Sequence, residues 1–242
     1  IIVMSVMNGF KTDLTKKILG LNPHIIINSN GFNIDDEFIS NLKNKFDNIN
    51  VSKTYSGEGI VISNENAKGI IIKGVDDDNK KSLNFFKQNL LNGNLQEFKK
   101  NTAFIGSELA FDLNLDIGDK INLTSSAFVA TPFGGIPKQE TLIVSGIFNT
   151  GFYEFDKNFV FLNLADALSI FDKERNDLNL EVYIEKPMLA DSYKKSIQDL
   201  NQNYFVYSWS DLNKSFFSAL KVERNVMFII LTLILVVAAF NI

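Results

Sequence analysis

The chain has 242 residues, 45% of them hydrophobic and 21% charged, which is enough to bury a sizeable core in one large domain or two small ones. The formal net charge is -4 and the pI about 5.1, with no basic patch, which argues against nucleic acid as a partner. There is no cysteine, so disulfides, thiolate chemistry and cysteine-based zinc sites are excluded.

The first residues, Ile1-Ile2-Val3-Met4-Ser5-Val6-Met7, have no initiating Met and no basic region before the apolar run. They read as the last turns of a membrane helix and not as a signal peptide. Met7, Phe10, Leu14, Ile18 and Leu21 then recur at three- and four-residue spacing, with Lys11, Asp13, Lys16 and Lys17 off the stripe. That predicts an amphipathic helix, ended by Gly20 and Asn22-Pro23. A strand is expected over 24–28, then a short helix carrying Phe38, Ile39, Leu42 and Phe46 and opened by Asp35 or Asp36. Two strands follow at 51–63 and 68–75 around the turn Asn64-Glu65-Asn66, a hairpin.

From about residue 90 the texture becomes β-rich. A strand at 102–105 leads to a helix at 108–113 with Ser107 as its cap. Gly118-Asp119 turns into a strand at 120–124, and a loop with two Pro and two Gly comes next. Strands at 140–148 and 158–162 and a helix at 163–171 complete this part. After a polar connector, 172–177, come a strand at 178–184, a helix near 189–200 and a strand at 204–207. This order echoes the unit at 24–55, so the two units are expected to share one α/β layer with the β-rich segment inserted. The last helix starts at Ser210, with Leu212, Phe216, Ala219 and Leu220 on one face, and runs into an apolar stretch. From Val226 to Phe240 only Thr232 is polar and no residue is charged. A bilayer-crossing helix needs about 20 apolar residues. The stretch reads as the start of a transmembrane helix, which makes the chain an extracytoplasmic domain between two membrane segments.

Chemistry is sparse. No Gly-rich phosphate loop with Lys and Ser/Thr occurs, so the chain is not an ATPase. The sole histidine, His24, follows Pro23 at a strand start, and no serine sits in a nucleophile elbow, so His24 reads as structural. Asp76-Asp77-Asp78 lacks the spaced ligands of a calcium loop and reads as a solvated turn before Lys80-Lys81. Gly57-Glu58-Gly59 reads as a bulge or a close backbone approach. No catalytic, cofactor-binding or metal-binding residue is expected. One segment stands out: Ser125-Ser126-Ala127-Phe128-Val129-Ala130-Thr131-Pro132-Phe133-Gly134-Gly135-Ile136-Pro137 is free of charge where a polar turn is expected. Its Phe128, Val129, Phe133 and Ile136 belong on a loop or hairpin tip. Such a tip is either a docking surface or a loop folded back on its own domain.

Several segments together resemble the LolC/LolE family, the permeases of the lipoprotein-releasing ABC transporter. Near the start they are Ser5-Val6-Met7-Asn8-Gly9-Phe10, Ile18-Leu19-Gly20 and Pro23-His24-Ile25. In the middle they are Gly69, Ile72-Lys73-Gly74-Val75-Asp76, Ile105-Gly106-Ser107-Glu108-Leu109-Ala110 and Gly118-Asp119. Later come Thr131-Pro132-Phe133-Gly134, Ile136-Pro137, Gly146-Ile147-Phe148 and Gly151-Phe152-Tyr153-Glu154. The end contributes Trp209, Leu212-Asn213, Phe217-Ser218-Ala219-Leu220-Lys221 and Met227-Phe228.

The resemblance implies an α+β fold, the MacB-like periplasmic core: a mixed α/β Porter subdomain (8–89 and 176–221) and an inserted β-rich Sabre subdomain (90–175). A hook hairpin would lie near 125–140, and transmembrane helix ends at 1–7 and 222–242. It places the chain in a multi-pass protein of the bacterial inner membrane, with this domain in the periplasm. It implies a permease that extracts acylated lipoproteins and passes them to a periplasmic lipoprotein chaperone. The further partners implied are a cytoplasmic ATP-binding subunit, which hydrolyses ATP, and a second permease copy or paralogue. The hook matches Thr131, Pro132, Phe133, Gly134, Gly135, Ile136, Pro137 and Lys138; from its charge alone, Lys138 at the rim either steers an acidic partner or is merely solvated. LolE-type members lack this loop pattern, so the resemblance is to LolC or to the single permease doing both jobs. The alternatives are a MacB-like mechanotransmission permease with another cargo or a regulatory role, and a membrane-anchored enzyme or sensor domain.

Overall fold

The computed structural model describes residues 2–46, 48–63, 66–76, 80–132 and 134–240. In chain order the first elements are α1 (Ile2–Leu21), β1 (Ile25–Asn28), α2 (Asp36–Lys45), β2 (Asn50–Ser63), β3 (Asn66–Val75), α3 (Lys80–Asn89) and β4 (Leu90–Gly93). The middle elements are β5 (Thr102–Gly106), α4 (Ser107–Leu113), β6 (Lys120–Thr131), β7 (Gly134–Phe148), α5 (Tyr153–Asn158), β8 (Phe159–Asn163) and α6 (Leu164–Ile170). The last are β9 (Asn179–Tyr183), α7 (Ala190–Gln198), β10 (Phe205–Ser208), α8 (Trp209–Leu212) and α9 (Lys214–Phe240).

The fold is mixed α and β. One sheet runs in the order β10-β1-β9-β2-β3-β8-β5-β7-β4, with β6 joined to β2 and β7. The pairs β3–β8 and β5–β7 are parallel. In β1, Ile25 and Ile27 are buried while Ile26 and Asn28 are half-buried, the period-two pattern of a strand with one face packed. This strand lies between β9 and β10, so the first and last strand–helix units do meet. Ile25, Ile27, Leu180, Val182 and Val206 pack there against Phe38, Leu42, Ile197 and Trp209. Full burial of each large apolar side chain contributes about 1.5–3 kcal/mol. Asp35 opens α2, its carboxylate accepting from the Phe38 N–H at 2.8 Å.

The long strand β2 links two cores. Its first half pairs with β9, and its second half pairs with β6. Val61, Ile70 and Ile72 pack with Ile105, Leu109, Leu123 and Leu162 in an aliphatic core. A separate core is phenylalanine-rich: Phe86, Phe98, Phe104, Phe148, Phe155 and Phe161. Its rings meet mostly edge-on, as with Phe86 and Phe104 at 5.0 Å between centroids.

Several sequence expectations change. Helix α4 begins at Ser107 itself, and its cap position is Gly106 with no side-chain cap bond. The Ser107 hydroxyl accepts instead from the Asn149 amide at 2.9 Å. A Cβ at Gly106 would stand 1.9 Å from the Asp156 carbonyl oxygen, so this position accepts only glycine. Helices α3 and α5 were not foreseen, and β8 starts after α5. The expected strand at 120–124 extends to Thr131, and β7 starts at Gly134, so most of the expected loop is ladder. The last helix is broken: α8 ends at Leu212 and is capped by Asn213, whose amide donates to the Trp209 carbonyl at 2.8 Å, and α9 starts afresh.

His24 is structural, as read. Its Nδ1 accepts from the Ile184 N–H at 2.9 Å and its Nε2 lies 3.3 Å from the Leu19 carbonyl, which ties the end of α1 to the end of β9. Gly57 and Gly59 are close approaches: a Cβ would come within 2.6 Å of the Phe171 ring and the Ile72 side chain respectively. Asp76 is exposed, and Asp77 and Asp78 lie outside the described residues. Among the described residues no helix is long and apolar enough to cross a membrane. Helix α9 still leaves Phe228, Ile229, Leu233 and Ile234 exposed.

Candidate functional site

The charge-free segment forms the end of the β6–β7 hairpin. Thr124 pairs with Gln139, and the ladder resumes with Phe128–Pro137, Val129–Ile136, Ala130–Gly135 and Thr131–Gly134. Between these two stretches β6 carries residues 125–127, whereas β7 carries Lys138 alone. Such an imbalance interrupts the ladder and bends the strand.

The bulge is anchored. Ser125 is buried; its hydroxyl donates to the Ile170 carbonyl at 2.5 Å and accepts from the Ala127 N–H at 3.1 Å. Lys138 Nζ lies 3.3 Å from Asp172 Oδ1. The Ser169 hydroxyl donates to Glu140 at 2.7 Å. All three contacts reach the end of α6 and the residues just after it.

Beyond the bulge the surface is apolar. Phe128 is 64% exposed, Val129 49% and Ile136 57%. Gly134 has φ +120, a conformation that favours glycine. Gly135 lies diagonally across from Phe128, whose ring and Cβ would be 3.4 Å from a Cβ there, so the aromatic side chain lies against the bare backbone of Gly135. Thr131 ends β6, Pro132 is exposed in the turn, and Phe133 lies outside the described residues. Gly134, Gly135, Ile136, Pro137 and Lys138 open β7. The structure thus brings the described sequence-predicted residues together on one hairpin, except that the Lys138 side chain turns back to Asp172. Phe128 and Val129, which the charge-free run also placed at the tip, join them across the ladder.

Reactive chemistry is absent from the tip, and among the described residues no cluster of three His, Asp or Glu side chains is placed to hold a metal. A cleft of about 560 Å³, which the sequence did not reveal, lies between β2, β9 and α6, lined in part by Asp35, Asp36, Lys53, Asp76, Lys100 and Arg175. Lys53 donates to Asp36 at 2.9 Å, and that bond holds the Asp36 carboxyl below the usual carboxylate range.

Compared with known proteins, the chain is similar along its whole length to the lipoprotein-releasing system transmembrane protein LolC of Buchnera aphidicola subsp. Schizaphis graminum, at 30% identity over 251 residues. LolC of Neisseria meningitidis serogroup B is 26% identical over 250 residues, and LolE of Haemophilus influenzae is 25% identical over 255 residues, again with all of this chain covered. The chain resembles the LolC/LolE family along its whole length. It spans about 60% of the length of these relatives. No family model matches it. Among solved structures, the extracellular domain of the noncanonic ABC-type transporter YknZ from Gram-positive bacteria aligns with 73% of this chain and 90% of its own, at 15% identity and a TM-score of 0.46. The periplasmic region of MacB from Actinobacillus actinomycetemcomitans aligns with 81% of this chain and 94% of its own, at 11% identity and a TM-score of 0.46.

The segments that carry this resemblance have visible structural tasks. His24 of Pro23-His24-Ile25 fastens α1 to the sheet. Gly106 of Ile105-Gly106-Ser107-Glu108 lets α5 approach β5. Trp209 donates from its indole to the Pro187 carbonyl at 2.8 Å and packs edge-on against Phe217, with 5.4 Å between ring centroids.

Proposed function

We propose that the chain is the periplasmic domain of a LolC-type permease, held in the bacterial inner membrane. The permease extracts acylated lipoproteins from that membrane and passes them to a periplasmic chaperone. ATP is hydrolysed by a separate cytoplasmic subunit, and a second permease copy or paralogue completes the transporter. The layer built from 8–89 and 176–221 is the Porter subdomain and 90–175 the Sabre subdomain, with the β2–β3 hairpin reaching from the first into the second. Family similarity supports the reading, and the LolC relatives are named for lipoprotein release.

The observation that carries the chaperone step is the hairpin tip: Phe128, Val129 and Ile136 exposed on a charge-free arm beyond an anchored bulge. Pro132 and Pro137 restrict the backbone, which lowers the entropy lost on docking. A few apolar anchors dominate a typical interface, and a concave apolar face on the chaperone would receive them. The test is titration of the chaperone into wild-type and Phe133→Ala/Ile136→Ala protein. Binding is expected to weaken at least about tenfold, or about 1.4 kcal/mol, with an unchanged thermal midpoint. Equal binding, or strong destabilisation of the variant, would show the tip to be packed structure and would remove the docking role.

A further inference from the structure

We infer that the last turn of α6 is a bracket that sets the angle of the β6–β7 hairpin, with Ser125 and Lys138 as positioning residues. This rests on the docking role proposed for the tip. Pairing of β6 with β2 ends at Ser125, opposite Gly59. Beyond it, among the described residues, the arms pair only with each other, through the four pairs from Phe128–Pro137 to Thr131–Gly134. Three residues against one leave no continuous ladder across the bulge, so sheet pairing does not dictate the direction of the arm.

The side-chain contacts supply that direction. Ser125, buried where pairing ends, bonds the Ile170 carbonyl at the end of α6. Lys138, the lone residue opposite the bulge, is drawn 3.3 Å from Asp172 and leaves only 26% of its side chain exposed. Glu140 takes a third contact from Ser169. Asp172 sits just beyond a helix C-terminus, where a carboxylate faces the negative end of the helix dipole. It does nothing for the helix there; facing Lys138, it ties one arm of the hairpin. An exposed ion pair adds little to global stability, so the expected effect is on the angle and not on the melting point. Lys138 then acts on docking through the geometry of the arm, without touching the partner.

The experiment uses the full-length permease in its assembled transporter, with spin labels at Ala130 on the arm and Lys87 on α3. The wild type should give one narrow distance distribution. Lys138→Glu, a surface change, and Ser125→Ala should each broaden it about twofold and weaken binding of the purified chaperone about fivefold. Adding Asp172→Lys to Lys138→Glu should restore both width and affinity. A distribution unchanged in both single variants overturns the bracket. So does weakened binding at unchanged width, which would make Lys138 a direct contact, and so does a swapped pair that fails to restore the width. If the distances respond as expected while Ile136→Ala binds the chaperone like wild type, the bracket stands and the docking role fails.

Discussion

Lys73 and Glu181 form a buried ion pair at 2.7 Å, with side chains 11% and 7% exposed. Tyr183 donates to the same carboxylate at 2.9 Å. Burial, and after it the neighbouring Glu181 charge, pushes the Tyr183 phenol well above its usual range, so it remains a donor at any physiological pH. The pair connects β3 to β9 across β2, at the point where the two cores join. Lys73→Met would leave a buried carboxylate uncompensated, a loss of about 3–5 kcal/mol. The double variant Lys73→Met/Glu181→Leu should recover most of it, because the desolvation cost disappears along with the attraction. Urea midpoints of the single and double variants measure the difference. Nothing in the sequence marked this pair. Lys73 lies in a run of isoleucines and Glu181 alternates with Leu180 and Val182, so each alone reads as the solvated face of a strand.

At the scale of elements, the corner from β10 into α8 is closed by a capping box. Ser208 accepts from the Asp211 N–H, and Asp211 accepts from the Ser208 N–H at 2.9 Å and from Lys194 at 2.7 Å. Partial burial pushes the Asp211 carboxyl up, but the bonds from Lys194 and Ser208 outweigh it and leave the group below its usual range. A depressed folded value means that this stabilisation is present above the unfolded value and disappears as pH falls through the folded one. Trp209, the only tryptophan, reports on this corner. Its fluorescence should hold steady down to about pH 4 and shift below it, and Asp211→Asn should flatten that acid response. The capping signal, Ser followed three residues later by Asp, starts at Ser208, two residues before the expected helix start at Ser210. The break at Asn213 was not readable in the sequence, because the apolar spacing of Leu212 and Phe216 continues across it.

On the scale of the whole molecule, α1 and α9 contact each other and join the same core through Leu19 and Phe217. Helix α9 then continues without interruption to Phe240. A continuous helix transmits displacement, whereas a flexible linker absorbs it. Under the proposed function, a Gly-Gly-Ser insertion after Lys221 should leave the domain folded, because the anchoring residues precede it. It should uncouple ATP hydrolysis from lipoprotein release, measured together in reconstituted vesicles. Release at the wild-type rate would remove the mechanical role of α9.

By itself the sequence determined whatever depends on neighbours a few residues apart: the amphipathic helix α1, a strand at β1, a cap for α2 at Asp35 or Asp36, the hairpin of β2 and β3, and the charge-free apolar run at the tip. Side chains three or four apart share a helix face and those two apart share a strand face, so these signals survive in one dimension. Tertiary structure decided which strands pair and in what register. Residues 125–131 read as loop because they carry no strand-like boundary, yet pairing of 128–131 with 134–137 makes most of them ladder and concentrates the irregularity in one bulge. The partner of Lys138 is 34 residues away at Asp172. A contact of that separation depends on where the chain returns and leaves no periodic trace, so only the folded molecule turns the expected rim charge into a tie at the base of the hairpin.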